Sequence, residues 1–225
     1  MKEIVSSEAM LIIGLGNKER KYEKTRHNAG HLFADFLNCF SGDTPKPSLA
    51  FRGVTRKSIK TNCFMNQSGG EVLRILGRHS HSGRTLRFTS GSSRQGLDDL
   101  RGRTPMKNAF DPPPASLREA LRAGVLGFDP NDDFVIVHDD MDIPLGKFKI
   151  SFGVSASGHK GVLSIIEELG TRDFWRIRIG VAPHHYNHHE QKAEDFVLND
   201  FNPEELEELQ RVFERIVKNP IFKGI

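Results

Sequence analysis

Amide, carboxylate and imidazole side chains stand where predicted strands of this sequence end or predicted helices begin. The residues concerned are Asn17, Asn66 and Asp139 after short apolar runs, His27 before a predicted helix, and His159 in the loop segment SGHKG. Such groups accept protons, orient a base and donate hydrogen bonds to carbonyl oxygens. Because ligand sites in open α/β sheets form outside the carboxyl ends of strands, we hypothesise that these residues converge. A single histidine is more often structural than catalytic, so the pattern alone leaves the role of His27 open.

The glycines beside Asn17 suggest a different interpretation, a dinucleotide-binding loop. Gly14 and Gly16 follow a predicted strand, as the first two glycines of that motif do. The third glycine position holds Glu19, and no helix is predicted to begin there. The sequence therefore argues against a dinucleotide cofactor at this loop.

Apolar patterning predicts the strands and helices that must position these side chains. Strands are predicted at 10–15, 134–138, 147–152 and 175–181, and helices from residue 28, at 71–76 and at 162–169. Asn28 is the expected N-cap of the first helix, and Gly170 ends the third. Asn202, Pro203 and Glu205 predict a capped start for a final amphipathic helix. Strands that alternate with helices indicate a three-layer α/β fold.

The segment from about residue 77 to residue 115 differs in composition from the rest of the chain. Ser, Gly, Arg and Pro dominate it, and the stretches GSSRQG and DPPPA interrupt any hydrophobic period. Patterning typical of a folded domain resumes at Ser116, which forms a predicted capping box with Glu119. We therefore interpret residues 1–225 as a single domain with a low-complexity, disordered or loosely ordered insertion at about 77–115.

The overall composition is that of a globular protein. Of 225 residues, 37% are hydrophobic and 27% charged, and the mean hydropathy is −0.45. No run approaches the roughly 18 apolar residues of a membrane span, and the start MKEIVSSEAM lacks the apolar core of a secretion signal. We expect no membrane partner and a cytoplasmic location, with a mitochondrial one left open. The net charge of +3 suits a polyanionic partner without identifying one.

Residues that commonly bind metals form no recognisable ligand pattern. Cys39 and Cys63 lie in separate segments, so neither a disulfide nor a zinc site is expected. The segment PHHYNHHE is rich in histidine, but the sequence supplies no partners that would orient these side chains around a metal. An exposed loop is the favoured interpretation for its histidines, which are His184, His185, His188 and His189.

Several motifs together resemble the bacterial-type peptidyl-tRNA hydrolases, in the same order and at suitable separations. They are GLGN at 14–17, TRHNAG at 25–30, FMNQSG at 64–69, HDDMDIPLGKFK at 138–149, SGHKG at 157–161 and RIRIGV at 176–181. The resemblance spans nearly the whole chain apart from about 77–115. It implies a monomeric α/β hydrolase with a mixed, twisted sheet and no metal or cofactor. Such an enzyme cleaves the ester between a peptide and the 3′ adenosine of tRNA.

The resemblance also implies roles for the polar residues at the strand ends. His27 is the expected general base that takes a proton from water. Asp139, in preference to Asp142, is expected to fix the histidine tautomer and stabilise the imidazolium. The amides of Asn17 and Asn66 are expected to donate hydrogen bonds to the developing oxyanion and to recognise the peptide.

Other positions match the substrate cleft and tRNA surface of that family. The expected substrate contacts are Tyr22, Phe64, Met65, His159 and Lys160. Lys160 departs from the family pattern, in which Asn follows the histidine, and a lysine lacks the acceptor oxygen of an amide. The expected tRNA contacts are the strand pairs Lys147 with Lys149 and Arg176 with Arg178.

Two other functions stay open on the sequence alone. A homologue that binds RNA without catalysis is one, and Lys160 together with the insertion favours it. The retained catalytic set, His27, Asp139, Asn17 and Asn66, favours the enzyme instead. A general small-ester hydrolase is disfavoured because the sequence has no G-x-S-x-G motif.

Overall fold

The computed structural model describes residues 9–39, 55–79, 134–183 and 192–219. Within these ranges the strands are β1 (Ala9–Gly14), β2 (Thr55–Lys60), β3 (Phe134–Pro144), β4 (Phe148–Phe152) and β5 (Trp175–Ala182). They form a five-stranded sheet in the order β2-β1-β3-β5-β4. Neighbouring strands from β2 to β5 are parallel, and β4 runs antiparallel to β5. The sheet is therefore mixed, as the resemblance implies.

Helices cover both faces of this sheet. The described helices are α1 (Ala29–Cys39), α2 (Ser68–Arg78), α3 (Lys160–Leu169), α4 (Ala193–Phe196) and α5 (Pro203–Lys218). On one face, α1 and α5 pack on a buried cluster that includes Val135 and Ile177. On the other, α2 and α3 pack on a cluster that includes Ile13 and Ile136. The three-layer α/β fold predicted from the sequence is confirmed.

Several helix ends follow the sequence signals closely. Gly170 ends α3 in the left-handed conformation, with φ of 71°. The Asn202 side chain accepts a hydrogen bond from the Glu205 amide while Glu205 reaches back to the Asn202 amide, which is the predicted capping box of α5. Asn28 is different, because it lies in the 3₁₀ turn Arg26–Asn28 that precedes α1. Its side chain binds the Asn17 backbone, so the prediction that it caps α1 is wrong.

Part of the predicted insertion belongs to a helix. Gly77 and Arg78 form the end of α2, so the predicted boundary at residue 77 is too early. The rest of that segment lies outside the described residues, as do the predicted capping box at Ser116 and the histidines of PHHYNHHE. None of the described helices has the length and apolar character needed to cross a membrane.

The start of α1 lies directly against the ends of β1 and β3. A Cβ atom at Gly30 would stand 2.4 Å from the Val137 carbonyl oxygen, and one at Gly14 would stand 2.2 Å from the Gly30 carbonyl oxygen. Any side chain at either glycine would force the helix away from the sheet. The two glycines therefore bring the turn that carries His27 to the carboxyl ends of the central strands.

Candidate active site

Three side chains from different elements meet at the carboxyl end of β3. Asp139 lies within β3, His27 lies in the 3₁₀ turn before α1, and His159 is the N-cap of α3. His27 Nδ1 is 3.0 Å from both Asp139 carboxylate oxygens, and His159 Nε2 is 3.0 Å from Oδ1. Asp139 is 2% exposed, so two imidazoles rather than water form the hydrogen bonds to its carboxylate.

The hydrogen bonds fix the tautomer of each imidazole. The Val162 amide donates to His159 Nδ1 at 3.2 Å, so the proton of a neutral His159 is on Nε2, where it is donated to Asp139. His27 donates from Nδ1 to the same carboxylate. A neutral His27 therefore keeps the lone pair on Nε2, the atom that a general base requires.

Charge and burial oppose each other at this cluster. Burial disfavours protonation of His27, but the charge of Asp139 and its hydrogen bond outweigh burial, so the pKa of His27 lies above the ordinary 6.5. The Lys160 ammonium acts in the opposite direction and lowers this pKa. Burial would raise the pKa of Asp139, yet His27 and His159 hold it far below its ordinary value. Asp139 is therefore ionised throughout the physiological range.

The same three residues have the spacing of a metal site, with ligand atoms within 4.8 Å of one another. The donor set does not fit a metal in this arrangement. His159 Nδ1 already accepts a hydrogen bond from the Val162 amide. Coordination through Nε2 as well would require an imidazolate, since both ring nitrogens would have to be unprotonated. The cluster fits a hydrogen-bonded proton-transfer site.

Asn17 stands beside this cluster in a fixed orientation. Its Oδ1 accepts a hydrogen bond from the Met65 amide at 2.9 Å. Its backbone is held by Asn28, whose Oδ1 accepts from Asn17 N at 2.7 Å and whose Nδ2 donates to Asn17 O at 3.1 Å. With Oδ1 engaged, Nδ2 is the group of the Asn17 amide that can donate to a ligand.

A cavity of about 790 Å³ opens over the cluster. Its lining includes the predicted site residues Asn17, His27, Phe64, Met65, Asn66, Asp139, His159 and Lys160. Asn66 is exposed, whereas Met65 is buried. Tyr22 does not line this cavity, and the Lys21 ammonium lies 4.9 Å from its ring centre. The structure therefore brings the predicted site together apart from Tyr22.

The predicted tRNA contacts divide into two groups. Lys147 and Lys149 are exposed, so their ammonium groups face solvent. Arg176 is 1% exposed and donates to the Val154 and Ser155 carbonyl oxygens, so the prediction that it contacts tRNA is wrong. Arg178 pairs with the Asp140 carboxylate at 2.6 Å, an arrangement that does not favour a phosphate contact.

Sequence reasoning missed one wall of the cavity. Val197 and Leu198 line it, and the Val197 carbonyl accepts a hydrogen bond from the His27 amide at 2.8 Å. Glu194 also lines the cavity and pairs with Lys160 at 3.0 Å. The available sequence signal was the apolar run that precedes the predicted capping box of α5. Nothing in the sequence pattern joins that run to His27.

Comparison with known proteins gives one consistent family. The family model described as peptidyl-tRNA hydrolase matches residues 11–84 and 116–221. A peptidyl-tRNA hydrolase of Geotalea daltonii is 32% identical over 208 residues, covering 92% of this chain and 85% of that protein. One of Fervidobacterium nodosum is 31% identical over 226 residues, covering 96% and 93%.

A solved structure shows the same fold. The crystal structure of peptidyl-tRNA hydrolase from Acinetobacter baumannii matches with a TM-score of 0.57 at 21% identity. The match covers 94% of this chain and 86% of that one, and at this identity it bears on the fold alone. The sequence matches carry the assignment, since the family model covers most of the chain and both relatives match almost end to end. This chain belongs to the peptidyl-tRNA hydrolase family.

Proposed function

We propose that this protein hydrolyses the ester bond between peptide and tRNA in peptidyl-tRNA, a carboxylic ester hydrolase activity that frees tRNA for reuse in translation. The observation that carries the proposal is the hydrogen-bonded pair of His27 and Asp139, both of which line the cavity. Family membership gives the substrate class, and the pair gives the chemistry. No metal or cofactor enters the proposed reaction.

The proposed reaction begins with a water molecule between His27 Nε2 and the ester carbonyl carbon. Nε2 takes a proton from the water as its oxygen attacks that carbon. The resulting imidazolium is stabilised by the Asp139 carboxylate. When the carbon–oxygen bond to the ribose breaks, the proton passes from His27 to the leaving ribose oxygen. The products are a free peptide acid and tRNA with an intact 3′ hydroxyl.

Amide groups stabilise the oxyanion in this scheme. Asn17 Nδ2 is oriented for donation because the Met65 amide occupies Oδ1. The exposed amide of Asn66 lies on the same cavity and supplies a second donor or a contact to the peptide. Loss of one preorganised donor to an oxyanion commonly lowers kcat by about 10²- to 10³-fold.

The remaining contacts follow from the lining and the surface. Phe64, Met65, His159 and Lys160 contact the peptide or the terminal nucleotide within the cavity. Lys147 and Lys149 contact tRNA phosphates, because both are exposed cations. The protein acts as a monomer in the compartment where translation takes place, and size-exclusion chromatography with light scattering tests its oligomeric state.

Turnover of an N-blocked aminoacyl-tRNA tests the function directly. We expect hydrolysis by the wild type and a loss of about 10²- to 10⁴-fold in His27→Ala, since positioned acid-base catalysis contributes that much. His79→Ala is the matched control, because His79 lies at the end of α2 and does not line the cavity. Tight tRNA binding without turnover by the wild type would instead identify an RNA-binding homologue.

A further inference from the structure

Arg26 is a buried cation immediately next to the proposed base. Its side chain is 7% exposed, and its guanidinium carbon lies over the rings of Phe196 and Phe201, 4.5 and 5.0 Å from their centres. Two aromatic faces around one guanidinium form a site that holds the cation in a single orientation. Arg26 takes no part in the proposed reaction, and it does not line the cavity.

The same guanidinium joins the turn that carries His27 to Asp200 and Glu205, which follow the cavity-lining residues Val197 and Leu198 in the chain. Arg26 Nη1 donates to the Asp200 carbonyl oxygen at 2.6 Å, and Nη2 donates to Glu205 Oε1 at 2.5 Å. Backbone bonds run in parallel, from Arg26 N to the Asn199 carbonyl at 3.1 Å and from His27 N to the Val197 carbonyl at 2.8 Å. The segment that carries Val197 and Leu198 is therefore fastened to the turn that carries His27.

Glu205 connects this arrangement to α5. Its Oε1 accepts from Arg26, and its Oε2 accepts from the Asn202 amide in the capping box. One carboxylate therefore caps a helix and neutralises a buried cation. Glu204, the neighbouring acid in the same first turn, is exposed and does not pair with Arg26 in the described structure.

We propose that Arg26 is a positioning residue of this active site, which holds His27 against Asp139 and fixes the Val197–Leu198 wall through the ion pair with Glu205. Arg26 acts through His27 and does not touch the substrate. The kinetic part of the proposal rests on the proposed function. The placement of His27 against Asp139 is measurable without turnover.

The test compares charge removal at Glu205 with charge removal at Glu204. In Glu205→Gln the side chain still caps α5, since glutamine also serves in a capping box, but Arg26 loses its counter-charge. We expect kcat to fall roughly 10-fold with KM unchanged, and Glu204→Gln to match the wild type. Arg26→Lys should lie between Glu205→Gln and Arg26→Met, where a displaced base lowers kcat by about 10²-fold.

Histidine NMR titration gives a second readout, with His27→Ala used to assign the His27 signal. In the wild type the pKa of His27 is raised by Asp139. If the turn shifts away from Asp139, burial and the Lys160 ammonium prevail, so the pKa of His27 should fall in Arg26→Lys and Glu205→Gln. A variant that merely lowers stability would change the melting temperature and leave this pKa in place.

The outcomes distinguish a failure of the positioning role of Arg26 from a failure of the proposed hydrolase function. A lowered His27 pKa in folded Glu205→Gln, with Glu204→Gln unchanged, supports the positioning role even if the wild type fails to hydrolyse peptidyl-tRNA. A folded Glu205→Gln or Arg26→Lys with unchanged kcat and His27 pKa overturns it. A rise in KM with kcat and His27 pKa unchanged also overturns it, because Arg26 would then act on substrate binding. If Arg26→Met does not fold, the other two variants decide.

Discussion

At the scale of single residues, the site depends on one carboxylate that serves two histidines. Asp139 receives hydrogen bonds from His27 and His159, and the Val162 amide prevents His159 from reversing its tautomer. His159 therefore orients the Asp139 carboxylate, and the same carboxylate fixes the tautomer of His27. Because the pKa of His27 is raised, its neutral form and hence the base-catalysed rate should increase as pH rises through a value above 6.5.

Lys160 is a residue at which the resemblance predicts a departure from the family pattern, and its substitution by Asn tests the effect of that departure. Lys160→Asn supplies an acceptor beside the ester. It also removes a cation that lowers the pKa of His27, so this pKa should rise, and kcat is compared at a pH where His27 is neutral in both proteins. We expect kcat to rise roughly 3- to 10-fold, the contribution of about one hydrogen bond. The slope of log affinity against log salt should weaken by at most about 0.7, the contribution of one phosphate contact on single-stranded RNA.

Steady-state kinetics at several salt concentrations measure both effects. Lys192→Asn is the matched control, since Lys192 is an exposed lysine before α4 that does not line the cavity. An unchanged salt slope in Lys160→Asn would mean that the pairing with Glu194 keeps the ammonium away from tRNA. A lower kcat would mean that the lysine itself takes part in catalysis.

At the scale of elements, the close contact between α1 and the sheet determines where His27 lies. Gly30→Ala would place a methyl group 2.4 Å from the Val137 carbonyl oxygen, so α1 must shift. We expect a loss of about 1–3 kcal/mol in the free energy of unfolding, the usual cost of overpacking, together with a fall in kcat. Urea denaturation and the turnover assay measure these two changes.

A second helical glycine provides the control for that experiment. Gly70 lies in α2, and a Cβ atom added there would meet no atom within 4 Å other than its chain neighbours and the nearby backbone of its own helix. Gly70→Ala should therefore gain up to about 1 kcal/mol from helix propensity. Equal effects of the two substitutions on stability would contradict the packing argument for Gly30.

Burial within the sheet and contacts between distant segments decide which parts of the structure can be predicted from the sequence. Continuous apolar runs located β1 and the start of β3 because a parallel sheet covered on both faces needs such runs. Burial on both faces also explains why the prediction for Arg176 was wrong. Arginine and isoleucine alternate at the start of β5, but no residue of this strand is exposed to solvent. Arg26 was missed because its partners, Asp200 and Glu205, are distant in sequence. Only the fold brings them together.

At the scale of the whole molecule, the family match is divided into two parts. Residues 85–115 fall between the matched ranges 11–84 and 116–221. Since this segment has few apolar residues and many Ser, Gly, Arg and Pro residues, we expect it to contribute little to the core. Replacing 85–115 by a short Gly-Ser linker should leave the melting temperature and hydrolysis close to wild-type values. Loss of a cooperative unfolding transition would show that the segment belongs to the folded domain.

Stability against acid depends on buried histidines as well as on the catalytic pair. His31 is 8% exposed, lies against Gly16 and has Nε2 3.1 Å from the Thr61 hydroxyl oxygen. Burial, helped by the Lys60 charge, lowers the pKa of His31 from 6.5 to about 4. His27 has the opposite sign, because its raised pKa adds stability at low pH that is lost as pH rises. As the pH falls, His31 therefore lowers the free energy of unfolding, whereas His27 raises it.

Replacing His31 isolates its contribution. Between a pH of 6.5 and about 4 the unfolded chain binds a proton at His31 that the folded protein does not, so stability falls as pH falls through this window. The expected loss between about pH 7 and about pH 4 is about 3 kcal/mol for the wild type at this one group. His31→Gln keeps a polar group near Thr61 but does not titrate, so its free energy of unfolding should fall less over the same range. Urea denaturation at several pH values measures the difference, and parallel curves for the two proteins would show that His31 titrates alike in both states.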